Sequence, residues 1–391
     1  MTVSTTNWDL LMDEAIGRAL LGRGQVEPNP CVGALMLQDG EVVGRGYHQY
    51  YGGPHAEVLA LNDARELGAR PDTAIVTMEP CSAPIGADGK KTGPCVQALI
   101  DAKIRRVVVG AIDADERHRR RGLVELERHG IEVIEGVQAD ACRAANRAFE
   151  KWLQLDRPWT IAKWAMTLDG KTASSVGQAR WISGVESRRR THELRAHCDA
   201  VIVGYRTARM DNPELTVRHV EGPQPLRLVV DPLAEIAEDS KLVRTAGETP
   251  VWVLARQDVQ AERVDRLQEL GVEVVRLPGG EGSRDLQLDE TWRELRRRGM
   301  RRVLVEGGGS LVAGLMRNRC IDQVQAFLAP KIIGGRESPT AVMGDGCSSM
   351  QEAWGVSDWT WQSSGDDLLL IGFVDEPSES DEQDLSADSA R

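Results

Sequence analysis

Aromatic residues are scarce in this chain, at 4% of 391 residues: ten Trp, four Tyr and three Phe. That supply leaves no basic–aromatic stripe of the kind that stacks single-stranded bases. Positive charge is also short. Lys and Arg number 48 against 60 Asp and Glu, a formal net charge of -12. Such a balance argues against a general nucleic-acid binder and against a binder of acidic membranes. No apolar run approaches the roughly 18 residues of a membrane-spanning helix, so none is expected. The stretch Met1–Asn7 lacks a basic region and an apolar core, so no secretory signal is expected. Cysteines are few, seven in all, scattered at 31, 81, 95, 142, 198, 320 and 347. An odd, scattered set predicts reduced thiols and a cytoplasmic protein. Five of them read as small apolar fillers.

What is present starts with length. A chain of 391 residues is too long for one ordinary core, so two domains are predicted. Cys81 and Cys95 stand apart because each follows a proline and both lie downstream of Pro54-His55-Ala56-Glu57. One imidazole, two thiols and one carboxylate supply three zinc ligands and an acid–base group. Three protein ligands leave a coordination position for water, the catalytic pattern. Zinc makes that water acidic near neutral pH, and a nearby Glu can move its proton. A closed structural site would need a fourth ligand, and no nearby Cys or His is placed for one. The zinc-deaminase signature has its two Cys much closer together than Cys81 and Cys95.

Along the first half, Asn7–Leu21 predicts an amphipathic helix with Leu10, Leu11, Ala15, Ala19 and Leu20 on one face. Strands are predicted over 32–38 and 42–47, joined by the hairpin signal Asp39-Gly40. A helix over 55–67 puts His55 and Glu57 in its first turn. A strand over 74–78 delivers Glu79-Pro80-Cys81 at its C-terminal end, where sites in α/β sheets collect. Helices over 96–102, 122–129 and 144–153 alternate with strands over 106–110 and 131–134, so this half is α/β. Asp156-Arg157-Pro158 marks the boundary, with 151–157 as linker. The second half predicts strands over 159–165, 200–203, 226–230, 251–254, 272–277 and 302–305, and helices over 186–196, 291–298 and 311–317. Glu306-Gly307-Gly308-Gly309-Ser310, between a strand and a helix, is a possible anion cradle. It is neither a Rossmann nor a P-loop fingerprint. Residues 375–391 are rich in Glu, Asp and Ser and read as a disordered acidic tail.

Several of these segments resemble a known family. Pro28-Asn29-Pro30-Cys31-Val32-Gly33, Gly46-Tyr47-His48, Pro54-His55-Ala56-Glu57 and Thr77-Met78-Glu79-Pro80-Cys81-Ser82 resemble the deaminase half of the bifunctional riboflavin-biosynthesis deaminase–reductases. Lys163, Leu168-Asp169-Gly170-Lys171, Trp181-Ile182-Ser183, Leu194-Arg195-Ala196, Asp211-Asn212-Pro213 and Val305-Glu306-Gly307-Gly308 resemble the reductase half. The resemblance implies a cytidine-deaminase-like three-layer domain over 1–150 and a dihydrofolate-reductase-like domain over 158–374. It implies zinc on His55, Cys81 and Cys95, with Glu57 moving protons and Asn29 holding the pyrimidine ring. It implies NADPH contacts from Ala165, Trp181, Thr207, Asp211, Gly307, Gly308 and Gly309. Substrate contacts would come from Arg195, Leu215, Arg218 and Glu306, the two arginines clamping a ribose-chain phosphate. The expected substrate is a small phosphoribosylaminopyrimidine, with no nucleic acid, no membrane and a homo-oligomeric enzyme.

This chain departs from the family in three places. The family's His-His-Gly-Arg after Pro-Cys-Ser is replaced by a longer loop over 83–93 carrying Lys90-Lys91, a substitute phosphate contact or a solvated tip. Its Asp-Pro-Asn-Pro and glycine-rich segment is replaced by Asp113-Ala114-Asp115-Glu116-Arg117-His118-Arg119-Arg120-Arg121. Ala179 stands where a Ser is usual, leaving Gln178 or Ser183 to supply that hydrogen bond. Two alternatives follow: a reductase with an impaired deaminase half, or a zinc deaminase acting on a nucleic-acid base.

Overall fold

A computed structural model describes residues 7–84, 86, 93–179, 181–280 and 285–375. Lys90, Lys91 and the tail 376–391 lie outside the described residues. The chain divides into two compact units, Met1–Leu155 and Asp156–Arg391.

The first unit runs α1 (Trp8–Ala19), β1 (Gly33–Gln38), β2 (Glu41–Tyr47), α2 (Ala56–Glu66), β3 (Thr73–Met78), α3 (Cys95–Asp101), β4 (Arg106–Ala111), α4 (Arg121–Arg128), β5 (Glu132–Glu135), α5 (Ala139–Ala144) and α6 (Arg147–Leu153). The sheet order is β2-β1-β3-β4-β5. β1 is antiparallel to β2 and β3, while β3, β4 and β5 are parallel. Period-two alternation makes the layers. Ala34, Met36, Ala74, Val76, Val107 and Val109 face α2, α3 and α4 through Ala56, Ala60, Leu61, Val96, Leu99, Leu123 and Leu126. Leu35, Leu37, Ile75 and Val108 pack on the other side with Met12, Ala15 and Cys142 from α1 and α5. This is the three-layer domain.

Two sequence expectations change here. α1 buries Met12, Ala15 and Ala19, whereas Leu10 is 66% exposed and Leu20 is 40% exposed. The helix sits so close to β1 that a Cβ on Gly33 would lie 2.0 Å from the Ala15 carbonyl oxygen, so small residues face the sheet. The predicted helix over 144–153 is two helices, interrupted at Ala145-Asn146. Asn146 is buried there, donating through Nδ2 to the carbonyls of Cys31 and Cys142 (3.1 Å each).

The second unit runs β6 (Trp159–Thr167), α7 (Val185–Ala196), β7 (Ala200–Gly204), α8 (Tyr205–Asp211), β8 (Leu226–Val230), α9 (Lys241–Arg244), β9 (Val251–Arg256), α10 (Ala261–Glu269), β10 (Glu273–Leu277), α11 (Leu288–Arg297), β11 (Arg302–Val305), α12 (Gly309–Arg317), β12 (Gln323–Ala329), β13 (Gly355–Ser364) and β14 (Asp367–Asp375). Nine strands form one sheet in the order β10-β9-β8-β7-β11-β6-β12-β14-β13. The seven strands from β10 to β12 are parallel, and β14 and β13 add antiparallel pairs. Trp292 and Leu295 of α11 and Leu311, Val312 and Leu315 of α12 cover one face.

The expected linker 151–157 does not stand apart as one. Residues 151–153 complete α6. Arg157 is buried and grips Asp322 with both terminal nitrogens (2.7 and 2.9 Å). Asp322 also accepts the Thr160 N–H (2.8 Å), tying the entry of β6 to the start of β12.

Candidate active sites in the two units

The first site forms at the C-terminal edge of β2, β3 and β4, where the parallel runs end and loops begin. His55 caps α2 in extended conformation (φ -79, ψ 162), so its ring stands at the helix entry. β3 delivers Cys81, and Cys95 opens α3 after Pro94. His55 Nδ1 lies 3.4 Å from Cys81 Sγ and 3.2 Å from Cys95 Sγ. These three ligand atoms lie within 4.8 Å of one another, the one group of this kind among the described residues. Tetrahedral zinc, with Zn–N near 2.0–2.1 Å and Zn–S near 2.3 Å, holds its N and S donors about 3.5 Å apart. The donor set and its spacing fit that metal. The Cys95 N–H points at Cys81 Sγ (3.4 Å), favouring the thiolate.

Glu57 sits one residue inside α2 and is 3% exposed. Its Oε2 is buried with no hydrogen-bond partner in the structure. Burial, with the Cys81 sulfur adding, pushes its carboxyl above the ordinary range. A divalent cation on the three ligands acts in the opposite sense. A desolvated carboxyl with a free oxygen beside a metal-ligand cluster can exchange protons with a water or a substrate.

Asn29 reaches the same edge. Its Nδ2 lies 3.1 Å from His48 Nε2, and His48 Nδ1 lies 2.9 Å from the Pro54 carbonyl oxygen. A carbonyl only accepts, so Nδ1 carries the proton and Nε2 accepts from Asn29. His48 therefore fixes which way the Asn29 amide faces, and its ring stands edge-on to His55 at 5.2 Å. The sequence offered His48 only as part of a motif.

Glu79 has a role that its place in the Glu-Pro-Cys motif does not reveal. Its Oε2 accepts the N–H groups of Asp113 (3.2 Å) and Arg120 (2.9 Å), and its Oε1 accepts that of Gly122 (3.0 Å). Gly122 lies so close that a Cβ there would be 1.9 Å from the Pro80 carbonyl oxygen. The turn after β4 is thus bolted to the residues preceding Cys81. A buried Glu at a strand end was the available signal.

Asp113 in that turn carries a cost. Burial, with the Glu79 charge adding, pushes its carboxyl up to about 6. The unfolded value is about 3.9. The folded group therefore resists ionisation, and the penalty grows as pH rises from about 4 to about 6. Asp113→Asn is expected to stabilise the first unit by about 1–3 kcal/mol above pH 6, with the gain gone below about pH 4. Urea unfolding at pH 7.5 and 4.0 measures it, and an equal effect at both pH values would refute the assignment.

The second site lies at the C-terminal edge of β6, β7, β11 and β12. Glu306 follows β11, and its carboxylate takes Nε and Nη2 of Arg195 and Nζ of Lys163 (3.0 Å). Burial alone would raise its pKa, yet Arg195 and Lys163 hold it far below the ordinary carboxylate range. Arg195 is 9% exposed and gives its remaining terminal nitrogen to the Thr216 carbonyl (2.8 Å). Arg218 instead pairs with Glu214 and donates to Thr216 Oγ1 (3.0 Å). The two arginines of the expected phosphate clamp are thus each paired with a carboxylate here, Arg195 with Glu306 and Arg218 with Glu214. Leu215 is buried at φ 54, a left-handed conformation that a branched side chain rarely adopts outside constrained sites.

The glycine turn and Thr207 come together. Cβ atoms on Gly307 and Gly308 would lie 3.5 and 3.2 Å from the Thr207 side chain, and both glycines have positive φ (114 and 87). This leaves a narrow backbone cradle at the start of α12, suited to a phosphate-bearing cofactor. Gly309 is closed off, since a Cβ there would meet Met343 Cγ at 2.6 Å. Trp181 is 64% exposed, with the Arg188 guanidinium 4.5 Å from its ring centroid. Lys331 Nζ donates to the carbonyls of Trp181 and Ile182 (2.7 Å each). Ala165 lies opposite Phe327 on the β6–β12 pair, and Asp211 ends α8, exposed. The motif Leu168–Lys171 proves to be a clamp: Asp169 takes the Thr167 hydroxyl (2.6 Å) and the N–H groups of Ile333 (3.1 Å) and Gly334 (2.6 Å). Those bonds hold its carboxyl down at about 2.

Comparison with known proteins agrees with this division. Residues 6–111 match the cytidine and deoxycytidylate deaminase zinc-binding region, and residues 158–370 match the RibD C-terminal domain. The riboflavin biosynthesis protein RibD of Aquifex aeolicus is 36% identical over 362 residues, covering 92% of this chain and 96% of that protein. RibD of Escherichia coli is 33% identical, covering 83% and 88%. The solved structure of Acinetobacter baumannii RibD (form 1) superposes with a TM-score of 0.67 at 28% identity, covering 94% and 99%. That of the Thermotoga maritima diaminohydroxyphosphoribosylaminopyrimidine deaminase/5-amino-6-(5-phosphoribosylamino)uracil reductase does so with 0.64 at 30%, covering 94% and 99%. With both halves matched over nearly the whole chain, this protein belongs to the RibD family of bifunctional riboflavin-biosynthesis deaminase–reductases.

Proposed function

We propose that the first unit hydrolytically deaminates 2,5-diamino-6-(5-phosphoribosylamino)pyrimidin-4-one and that the second reduces the ribosyl chain of the product to ribityl phosphate. The observation that carries this reading is the His55–Cys81–Cys95 cluster with the unpartnered Glu57 oxygen beside it. Zinc on His55, Cys81 and Cys95 would supply the Lewis acid that makes a water nucleophilic. Glu57 would take one proton from that water and give it to the ring nitrogen as oxygen adds to the ring carbon. It would then take the remaining hydroxyl proton and give it to the amino group, whose C–N bond breaks so that ammonia leaves. Asn29, its amide oriented by His48, holds the pyrimidine ring.

In the second unit NADPH would supply the hydride. Ala165, Trp181, Thr207, Asp211 and the Gly307–Gly309 turn hold the cofactor. Arg195, Leu215, Arg218 and Glu306 form the substrate wall, with Arg195 acting through Glu306 rather than as a free phosphate clamp. The enzyme is read as cytoplasmic and homo-oligomeric, acting on no nucleic acid. Seven cysteines outside any disulfide and a net charge of -12 support the first and last of these. Among the described residues no helix is long and apolar enough to cross a membrane.

The test is direct. The purified chain should hold one zinc, release ammonia from the diaminopyrimidine, and oxidise NADPH only with the deaminated product. NADPH oxidation without ammonia release would leave a reductase with an impaired deaminase half, the outcome that the rewritten loop over 83–93 would favour.

A further inference from the structure

The turn after β4 concentrates positive charge in an acidic chain. Arg117, His118, Arg119, Arg120 and Arg121 are consecutive, in a protein of net charge -12. Two of these arginines serve the fold. Arg117 is bound by Asp115 (2.6 and 2.9 Å), and Arg120 by Glu135 through two bonds of 2.7 Å. Arg119 and Arg121 are exposed, and neither side chain has an acidic partner among the described residues.

Their position gives the fold no return. Arg121 opens α4, where the helix dipole disfavours a cation. Between them, Arg120 is held in the left-handed region at φ 61, a conformation that side chains other than glycine adopt under strain. It is kept there from both ends, by Glu79 on its N–H and Glu135 on its guanidinium. The turn is therefore built rather than slack. The same Glu79 carboxylate and the Gly122–Pro80 contact fix it against the segment that leads into Cys81. Two exposed guanidinium groups are thus carried by a turn whose backbone is fixed against Pro80, the residue before Cys81, and the loop over 83–93 contains no arginine.

We propose that Arg119 and Arg121 bind the phosphate of the deaminase substrate. This rests on the reading of the first unit as a deaminase acting on a phosphorylated pyrimidine riboside. A phosphate dianion suits two planar guanidinium forks better than a single ammonium. Anchoring Arg120 in place between them spares the ligand part of the ordering cost.

The experiment compares wild type with Arg119→Ser/Arg121→Ser on two compounds, the phosphorylated substrate and its dephosphorylated counterpart. The expected result is a KM for the phosphorylated compound raised about 10- to 100-fold, the range of charged hydrogen bonds. kcat, zinc content and NADPH oxidation should stay near wild type, and KM for the dephosphorylated compound should not move. Arg119→Lys/Arg121→Lys should fall between. Unchanged preference for the phosphorylated compound in the Ser variant would overturn the proposal, as would an equal loss on both compounds with zinc retained. If wild type releases ammonia from neither compound, the deaminase reading fails. Calorimetric binding of the phosphorylated compound to both proteins then still decides the role of the arginines.

Discussion

Glu57→Gln is expected to lower ammonia release by about a thousandfold, within the range of roughly 10²–10⁴ for a positioned acid–base group. The substitution keeps size and shape in a site where the residue is 3% exposed. It removes the one property that the site needs, a carboxyl oxygen able to take and return a proton. The Glu57 Oε2 has no hydrogen-bond partner in the structure, so an amide group placed there displaces none. The amide also relieves the cost of a buried charge, so stability should hold or rise. Zinc content and NADPH oxidation on the deaminated product should match wild type, because His55, Cys81, Cys95 and the second unit are untouched. Ammonia release above about a tenth of wild type would sink the role of Glu57. Loss of zinc along with activity would mean that the residue supports the metal site instead.

Arg195→Met should have the largest effect on stability. Removing it leaves Glu306 buried with Lys163 alone and frees the Thr216 carbonyl. Breaking a buried, hydrogen-bonded ion pair from one side costs about 3–5 kcal/mol. For a unit of this size that is a fall of roughly 10 °C in the unfolding transition of the second unit. Arg195→Lys keeps the charge but loses the fork, so it should fall between. The pH dependence has a definite sign. Glu306 has a depressed folded pKa, so its stabilisation is complete above the unfolded value of about 4.3 and is lost as pH falls toward the folded value. The gap between wild type and Arg195→Met should therefore be widest near neutral pH and narrow in acid. Thermal unfolding followed from pH 7 to pH 3 measures it, and a gap that widens in acid would show that the pair is not what Arg195 contributes. NADPH oxidation should also fall at least tenfold, because Glu306 loses its orientation.

Much of this architecture was legible along the chain. Short apolar strands alternating with helical runs predicted α/β units, and the period-two pattern of β1, β3 and β4 produces the two covered faces. The metal cluster was legible because His55, Cys81 and Cys95 are local features, each at a helix start or strand end. β12, β13 and β14 were not found. β13 is exposed along almost its whole length, so burial leaves little periodic pattern on it. Helical periodicity locates α1 but not its buried face, which is Met12, Ala15 and Ala19 rather than Leu10 and Leu20. Contact with β1 at Gly33 selects small residues over leucines, and helical periodicity cannot see the neighbour.

The two α/β units, the zinc-ligand set with its carboxylate, and the glycine turn after β11 can be read along the chain. Each rests on residue type and short-range spacing, which the chain states directly. Which charges are neutralised depends instead on the folded arrangement. It tied Arg195 to Glu306 across 111 positions and Glu79 to the turn at Arg120–Gly122, and among the described residues it gave Arg119 and Arg121 no acidic partner. A charged side chain looks the same in sequence whether it is neutralised or available. Its partner is set by which loops the sheet edge brings together, and that pairing exists only in the fold.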